Sequence, residues 1–270
     1  MIINSPTSTI AFYIFNYPIK FYGLILTCAI VFGYFLSYFT FKKYNSKAET
    51  DFFEDLFPIT VVFSIIGARL FYVIGEFSYY KNNLAEIFMV NHGGISIYGA
   101  IIFGILTIYF YSKFKKQNFK KYLDYFALFM PLSQAIGRWG NFFNQEAYGK
   151  PTNGFLKLYI DKFHRTPENL DISYYEPTFL YESILDLIIF FILLFIFFKF
   201  KNKPNFKVGT IVLIYLILYS FVRIVVENLR IDSVLNVLDV PIASIISIII
   251  LSISAILLFI LYKKWTSKIH

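Results

Sequence analysis

The sequence predicts an all-α polytopic membrane protein. It would have seven transmembrane helices, an irregular outer-side segment, the N-terminus outside and the C-terminus in the cytoplasm. Three observations carry this prediction. First, 57% of the 270 residues are hydrophobic, 21% are aromatic and only 16% are charged, with a mean hydropathy of +0.60. Soluble domains are about a quarter charged and less than half apolar, so a soluble enzyme and a disordered chain are both excluded. Second, seven stretches approach the ~20 apolar residues that cross a bilayer. Third, the basic residues alternate in density between successive loops.

The spans run in order through 19–41, 56–77, 94–112, 122–138, 179–198, 208–228 and 240–262. Tyr22-Gly23 opens the first, and residues 1–18 carry no basic residue. A cleavable signal peptide needs a basic start, so this span is expected to be retained. The second span carries Arg69, and the fourth carries Asp124 and Gln134. If either were re-entrant, the topology would change. The fifth and seventh, with ILDLIIFFILLFIFF and IASIISIIILSISAILLFIL, are the most uniformly apolar.

Fifteen of the 25 Lys and Arg fall in 42–55, 113–121, 199–207 and the tail after 262. These short segments share one side of a seven-span layout, and the basic side is cytoplasmic. The formal net charge of +8 therefore reflects topology, and no nucleic-acid partner is expected. The longest stretch outside the spans is 139–178. Its Gly, Asn, Pro and Thr content suggests an outer-side lid or small insertion on a single domain covering 1–270. One cysteine, Cys28, excludes a disulfide scaffold and a Cys-rich metal centre. No metal, nucleotide or redox cofactor is expected.

Charges within spans are costly, so each is a functional candidate. Tyr219, Arg223, Glu227 and Arg230 are spaced by four, four and three, which puts them on one helical face. The Arg–Glu pair is also what plain helix packing would use. Gly137-Arg138-Trp139-Gly140-Asn141-Phe142-Phe143-Asn144-Gln145-Glu146-Ala147-Tyr148-Gly149 is too polar for an interfacial turn, although Trp139 suits a membrane anchor. An arginine here can hold a phosphate through paired hydrogen bonds.

Asn91-His92-Gly93-Gly94-Ile95-Ser96-Ile97-Tyr98 enters the third span. Its glycines free amide groups for an anion; the plainer reading makes His92 a surface residue and Tyr98 packing. In Glu176-Pro177-Thr178-Phe179-Leu180-Tyr181-Glu182, Thr178 is expected as an N-cap with its partner near Glu182. Structural and functional readings are even for Glu182 and for Asp186, one turn further on. Arg69 is expected to pair with one of these carboxylates.

These segments resemble the bacterial prolipoprotein diacylglyceryl transferases. The likeness rests on Gly137-Arg138-Trp139-Gly140-Asn141 through Glu146 and Gly149. It continues in Tyr22-Gly23-Leu24, Gly67-Ala68-Arg69, His92-Gly93-Gly94, Pro177-Thr178, Leu180-Tyr181-Glu182 and Arg223 to Arg230. Order and spacing agree over about residues 20–262. The resemblance implies an enzyme of the bacterial cytoplasmic membrane. It would move the diacylglyceryl group of phosphatidylglycerol to the lipobox cysteine thiol of a preprolipoprotein, giving a thioether and glycerol phosphate.

The positions matching the family's essential residues are Tyr22, Arg138, Asn141, Gly149, Arg223, Glu227 and Arg230. The family often has His where this chain has Tyr98, and Asp where it has His92. On this reading Arg138 and Arg223 hold the phosphate. Asn141 orients the headgroup or the glycine-rich turn, and Glu227 holds Arg223 or Arg230. The base is Tyr98, Glu146 or His92, unless the arginines acidify the thiol enough without one. The rival class is a membrane transporter for an anionic small molecule or lipid, which would place polar groups at mid-bilayer instead of towards one face. A retinal protein would need a Lys in 240–262, and there is none.

Overall fold

A computed structural model describes residues 1–89, 93–231, 236–237 and 240–266. Strand β1 (Ile2–Asn4) and the hairpin β2 (Ile10–Ile14) and β3 (Tyr17–Lys20) lead into α1 (Phe21–Tyr44). Then come α2 (Lys47–Gly75), the short α3 (Phe77–Tyr80), α4 (Ile97–Phe114) and α5 (Phe119–Asn144). After β4 (Lys157–Tyr159) and β5 (Tyr174–Tyr175) follow α6 (Thr178–Phe200), α7 (Thr210–Glu227), the pair β6 (Asn236–Val237) and β7 (Val240–Pro241), and α8 (Ile242–Thr266).

Six of these helices are long and apolar enough to cross a membrane: α1, α2, α4, α6, α7 and α8. The chain is thus a mostly helical polytopic membrane protein. Many of the apolar side chains on these helices, such as Ile30, Phe35, Ile102, Phe191, Ile249 and Ile256, lie on the surface. A lipid-facing helix needs no polar exterior. Helix α5 falls outside the six because Lys120, Lys121, Asp124, Gln134, Arg138, Asn141 and Asn144 interrupt its apolar run.

The chain divides into two units, Tyr38–Leu123 and Met1–Ser37 with Asp124–His270. In the first, α2 starts with a capping box. Ser46 Oγ accepts from the Glu49 amide at 3.4 Å, and Glu49 accepts from the Ser46 amide at 3.2 Å. Glu49 also pairs with Lys121 at 2.6 Å. Phe41 stacks on Phe53 with ring centroids 4.7 Å apart, and both lie against Tyr122. Helices α2 and α4 pack along their lengths.

Among the described residues Arg69 forms no ion pair with a carboxylate, contrary to expectation. Its five N–H donors go to the carbonyls of Ile87 at 2.9 Å, Gly93 at 2.6 Å, Gly94 at 2.7 Å, Met89 at 3.3 Å and Glu86. The two glycines turn their carbonyls inward through positive φ angles of 86° and 73°. A guanidinium has five donors, and all five are used by these carbonyls, which is why the charge is tolerated within the span. Arg69 ties α2 to residues 86–89 and to the two glycines just ahead of α4.

In the other unit, Asp124 explains why a charge sits in α5. Its Oδ2 accepts from the Gly209 amide at 2.6 Å and its Oδ1 from the Val212 amide at 2.9 Å, so it caps the start of α7. Thr210 and Tyr262 share a hydroxyl hydrogen bond of 3.0 Å, joining α7 to the far end of α8.

The segment 139–178 is less irregular than its composition suggests. Helix α5 takes in 139–144, and β4 and β5 pair antiparallel. β1 joins β4 in parallel register, Ile2 opposite Lys157. Tyr148, Leu158, Ile160, Tyr175 and Phe179 form a small core under this sheet.

Candidate functional site

Four helix ends meet in the larger unit. The start of α1 brings Tyr22, the last turns of α5 bring Arg138 and Asn141, the start of α6 brings Glu182, and the last turns of α7 bring Arg223 and Glu227. Arg138 and Arg223 converge on one carboxylate. Arg138 donates to Glu182 Oε1, and Arg223 Nη1 donates to Glu182 Oε1 at 3.1 Å and Oε2 at 3.3 Å. Arg223 also donates to Glu227 one turn on. Glu182 is only 1% exposed. A buried carboxylate needs such partners, since an unpaired charge there costs several kcal/mol. Two guanidiniums and two carboxylates make this chain formally neutral.

Asn141 continues the chain. Its Oδ1 accepts from Arg138 at 3.5 Å, and its Nδ2 donates to Glu146 Oε1 at 2.8 Å. Asn144 donates to the same oxygen at 3.3 Å. The Tyr219 phenol faces Arg138, in keeping with its place one turn before Arg223. Tyr22 packs against Gly140, where a Cβ would come within 2.8 Å of the ring.

Gly149 is equally confined. A Cβ there would meet Thr178 Cγ2 at 2.8 Å and Glu176 Cβ at 2.9 Å. Its amide donates to the Glu176 carbonyl at 2.9 Å, and it forms a β-bridge with Arg230. So the close of the glycine-rich segment, the entry to α6 and the exit from α7 are held together.

Three expectations change here. Helix α7 ends at Glu227, so Arg230 does not share the helical face of Tyr219, Arg223 and Glu227; the β-bridge places it beside Gly149 instead. Pro177, not Thr178, is the N-cap of α6, and Thr178 Oγ1 donates to the Ala147 carbonyl. A proline cannot donate its own amide, which makes it suitable at a helix entry. Glu182 therefore serves the arginines, not a cap.

Tyr98 lies on α4 in the smaller unit and is 41% exposed. His92 lies outside the described residues. Sequence reasoning underweighted Glu182; the signal was an acid just inside an apolar span. It also passed over Gln145, which is buried beside Glu146. Asp186 is fully buried and neither carboxylate oxygen has a hydrogen-bond partner among the described residues.

A cavity of about 230 Å³ is lined by Ile25, Ala135, Ile136, Trp139, Ser183 and Leu187, nearly all apolar. Its lining comes from α1, α5 and α6, the helices that also carry Tyr22, Arg138 and Glu182. Among the described residues, no group of three His, Cys, Asp or Glu is placed to hold a metal ion. Chemically, the site offers guanidinium donors converging on a buried carboxylate and a second carboxylate held by two amides.

A family model described as prolipoprotein diacylglyceryl transferase matches residues 9–260. The chain is 40% identical over 258 residues to the phosphatidylglycerol–prolipoprotein diacylglyceryl transferase of a Clostridium botulinum strain, covering 94% of this chain and 97% of the relative. Proteins of the same name from Nostoc sp. and Trichormus variabilis are each 42% identical over 218 residues. These cover 80% of this chain and 76% and 77% of the relatives.

Proposed function

Because the chain belongs to the prolipoprotein diacylglyceryl transferase family, we propose that Arg138 and Arg223 are the groups that carry its reaction. The enzyme transfers the diacylglyceryl group of phosphatidylglycerol to the lipobox cysteine of preprolipoproteins in the bacterial cytoplasmic membrane. The observation that carries the assignment of residues is the convergence of both guanidiniums on Glu182. Glu182 fixes their direction. Each guanidinium has five N–H donors, more than its contacts here use, and the remainder hold the lipid phosphate.

The thiol sulfur forms a bond to the glycerol carbon that bears the phosphate. The carbon–oxygen bond breaks, and its electron pair leaves with the phosphate oxygen. The products are a thioether and glycerol phosphate. The leaving phosphate gains a negative charge as the bond breaks, and two fixed guanidiniums stabilise that charge most when it is largest.

A free thiol of pKa about 8.5 must lose its proton. Glu146 Oε2 takes it, while Oε1 is held by Asn141 and Asn144. Asn141 thus orients the glycine-rich turn, Glu227 steadies Arg223, and Tyr22, Gly149 and Arg230 shape the walls. One acyl chain of the donor lies in the cavity beside Trp139 and Leu187. With α5 as the seventh span, the basic loops lie in the cytoplasm and the site opens outward. Tyr98, on α4, keeps a supporting role.

The test uses purified protein, phosphatidylglycerol and a lipobox peptide, with the mass of the peptide thiol as readout. Arg138→Ala and Arg223→Ala each abolish the mass gain. Near-normal turnover in both overturns the assignment.

A further inference from the structure

Gln145 directly follows α5 and is 6% exposed, with φ +53°. Two residues on, Ala147 has φ +57°. Non-glycine residues in this left-handed region are strained and persist only where surrounding structure holds them. At Gln145 the restraint is visible. Its Oε1 accepts from Ser5 Oγ at 3.0 Å and from the Asp161 amide at 2.7 Å, and its Nε2 donates to the Pro6 carbonyl at 2.9 Å. A backbone amide can only donate and a carbonyl can only accept, so the side-chain amide has one orientation that satisfies both.

Three distant segments meet on this one side chain. The first is the N-terminal arm, which links β1 to the β2–β3 hairpin and so to Tyr22; the Phe21 amide donates to the Thr9 carbonyl at 2.9 Å. The second is the chain after β4, where Asp161 caps the next short turn. The third is the strained turn itself. The residue between its two left-handed positions is Glu146, whose amide donates to the Asn141 carbonyl at 3.1 Å and whose carboxylate meets Asn141 and Asn144.

We propose that Gln145 is a positioning residue for the transfer reaction. Its amide clamps the N-terminal arm and the small sheet onto the turn that presents Glu146. It sets the angle of the carboxylate that receives the thiol proton without itself touching substrate. This rests on the reading of Arg138, Arg223 and Glu146 as the reacting cluster. A glycine at 145 would relax the backbone but release the clamp. A methionine would keep the volume but lose all three hydrogen bonds.

Gln145→Gly and Gln145→Met are compared with the parent by steady-state kinetics, the pH profile of kcat, thermal unfolding and hydrogen exchange over residues 1–20. Both variants are expected to lose about tenfold in kcat, the size of one or two net hydrogen bonds. KM for phosphatidylglycerol stays within about twofold, because the phosphate-holding arginines are unchanged. The acidic limb of the pH profile moves, and the arm exchanges faster. The glycine variant unfolds within a few degrees of the parent, which separates lost clamping from lost folding. Parent-like kcat and parent-like arm exchange in Gln145→Gly overturn the proposal, as does an equal loss of stability and of every kinetic parameter in both variants. Arg138→Ala run alongside separates the two readings. If it is inactive while Gln145→Gly is parent-like, only the clamp fails; if it is active, the reading of the cluster fails.

Discussion

Replacing Glu182 with glutamine removes one negative charge and almost no volume. At the 3.1 Å separation of Arg223 and Glu182, an effective dielectric of ~20 gives a Coulomb term of about 5 kcal/mol, partly offset by desolvation. The side chains are 18%, 16% and 1% accessible for Arg138, Arg223 and Glu182, so solvent screens the pairs little. Breaking a buried pair by removing one partner costs about 3–5 kcal/mol.

Glutamine still offers one acceptor oxygen, so the loss falls to about 2–3 kcal/mol, the worth of one charged hydrogen bond. Arg223 keeps Glu227, whereas Arg138 loses its one carboxylate partner among the described residues. Two guanidiniums that no longer point together should lower kcat/KM about 100-fold, at 1.36 kcal/mol per factor of ten. The assay is diacylglyceryl transfer to a lipobox peptide, paired with thermal unfolding. A Glu182→Gln enzyme within threefold of the parent, with parent stability, refutes the claim that Glu182 aims the arginines.

Other predictions follow from separate parts of the molecule. Glu146→Gln lowers kcat by about 10²–10⁴, the usual range for a lost proton acceptor, whereas Tyr98→Phe leaves turnover intact; the same transfer assay reads both. Gly149→Ala forces Thr178 or Glu176 to move and costs about 1–3 kcal/mol of stability by thermal unfolding. Asp124→Ala uncaps α7 and costs about 1–2 kcal/mol with unchanged kcat, since Asp124 sits at the end of α7 remote from Arg223. Reporter fusions in 113–121 and in 150–160 score as cytoplasmic and outer-side respectively, and the reverse pattern contradicts the topology.

Much of this was legible because apolar runs and expensive charges are local properties of a sequence. The helices fall where unbroken apolar stretches fall, and α5 is the exception because its polar residues have partners that only the fold supplies. Asp124 reads as a misplaced charge until the α7 amides are seen to meet it. The i, i+4 pairing of Arg223 and Glu227 is a helix property and was readable.

Glu182 was not separable from a capping residue, because the proline one position before Thr178 decides the cap and the arginines lie 41 and 44 residues away in sequence. Arg230 was misplaced because nothing local marks the end of α7 at Glu227. Gln145 carried no signal of its own. A glutamine is ordinary in a polar turn, and its role depends on Ser5 and Pro6 returning from the other end of the chain.

Two arginines sharing one phosphate would be visible directly. The decisive experiment is a structure of the protein with phosphatidylglycerol bound in a lipid bilayer mimic. Phosphate oxygens are expected within about 3 Å of N–H groups on both Arg138 and Arg223, with an acyl chain beside Trp139. A headgroup bound by only one of the two arginines, or by neither, contradicts the shared site.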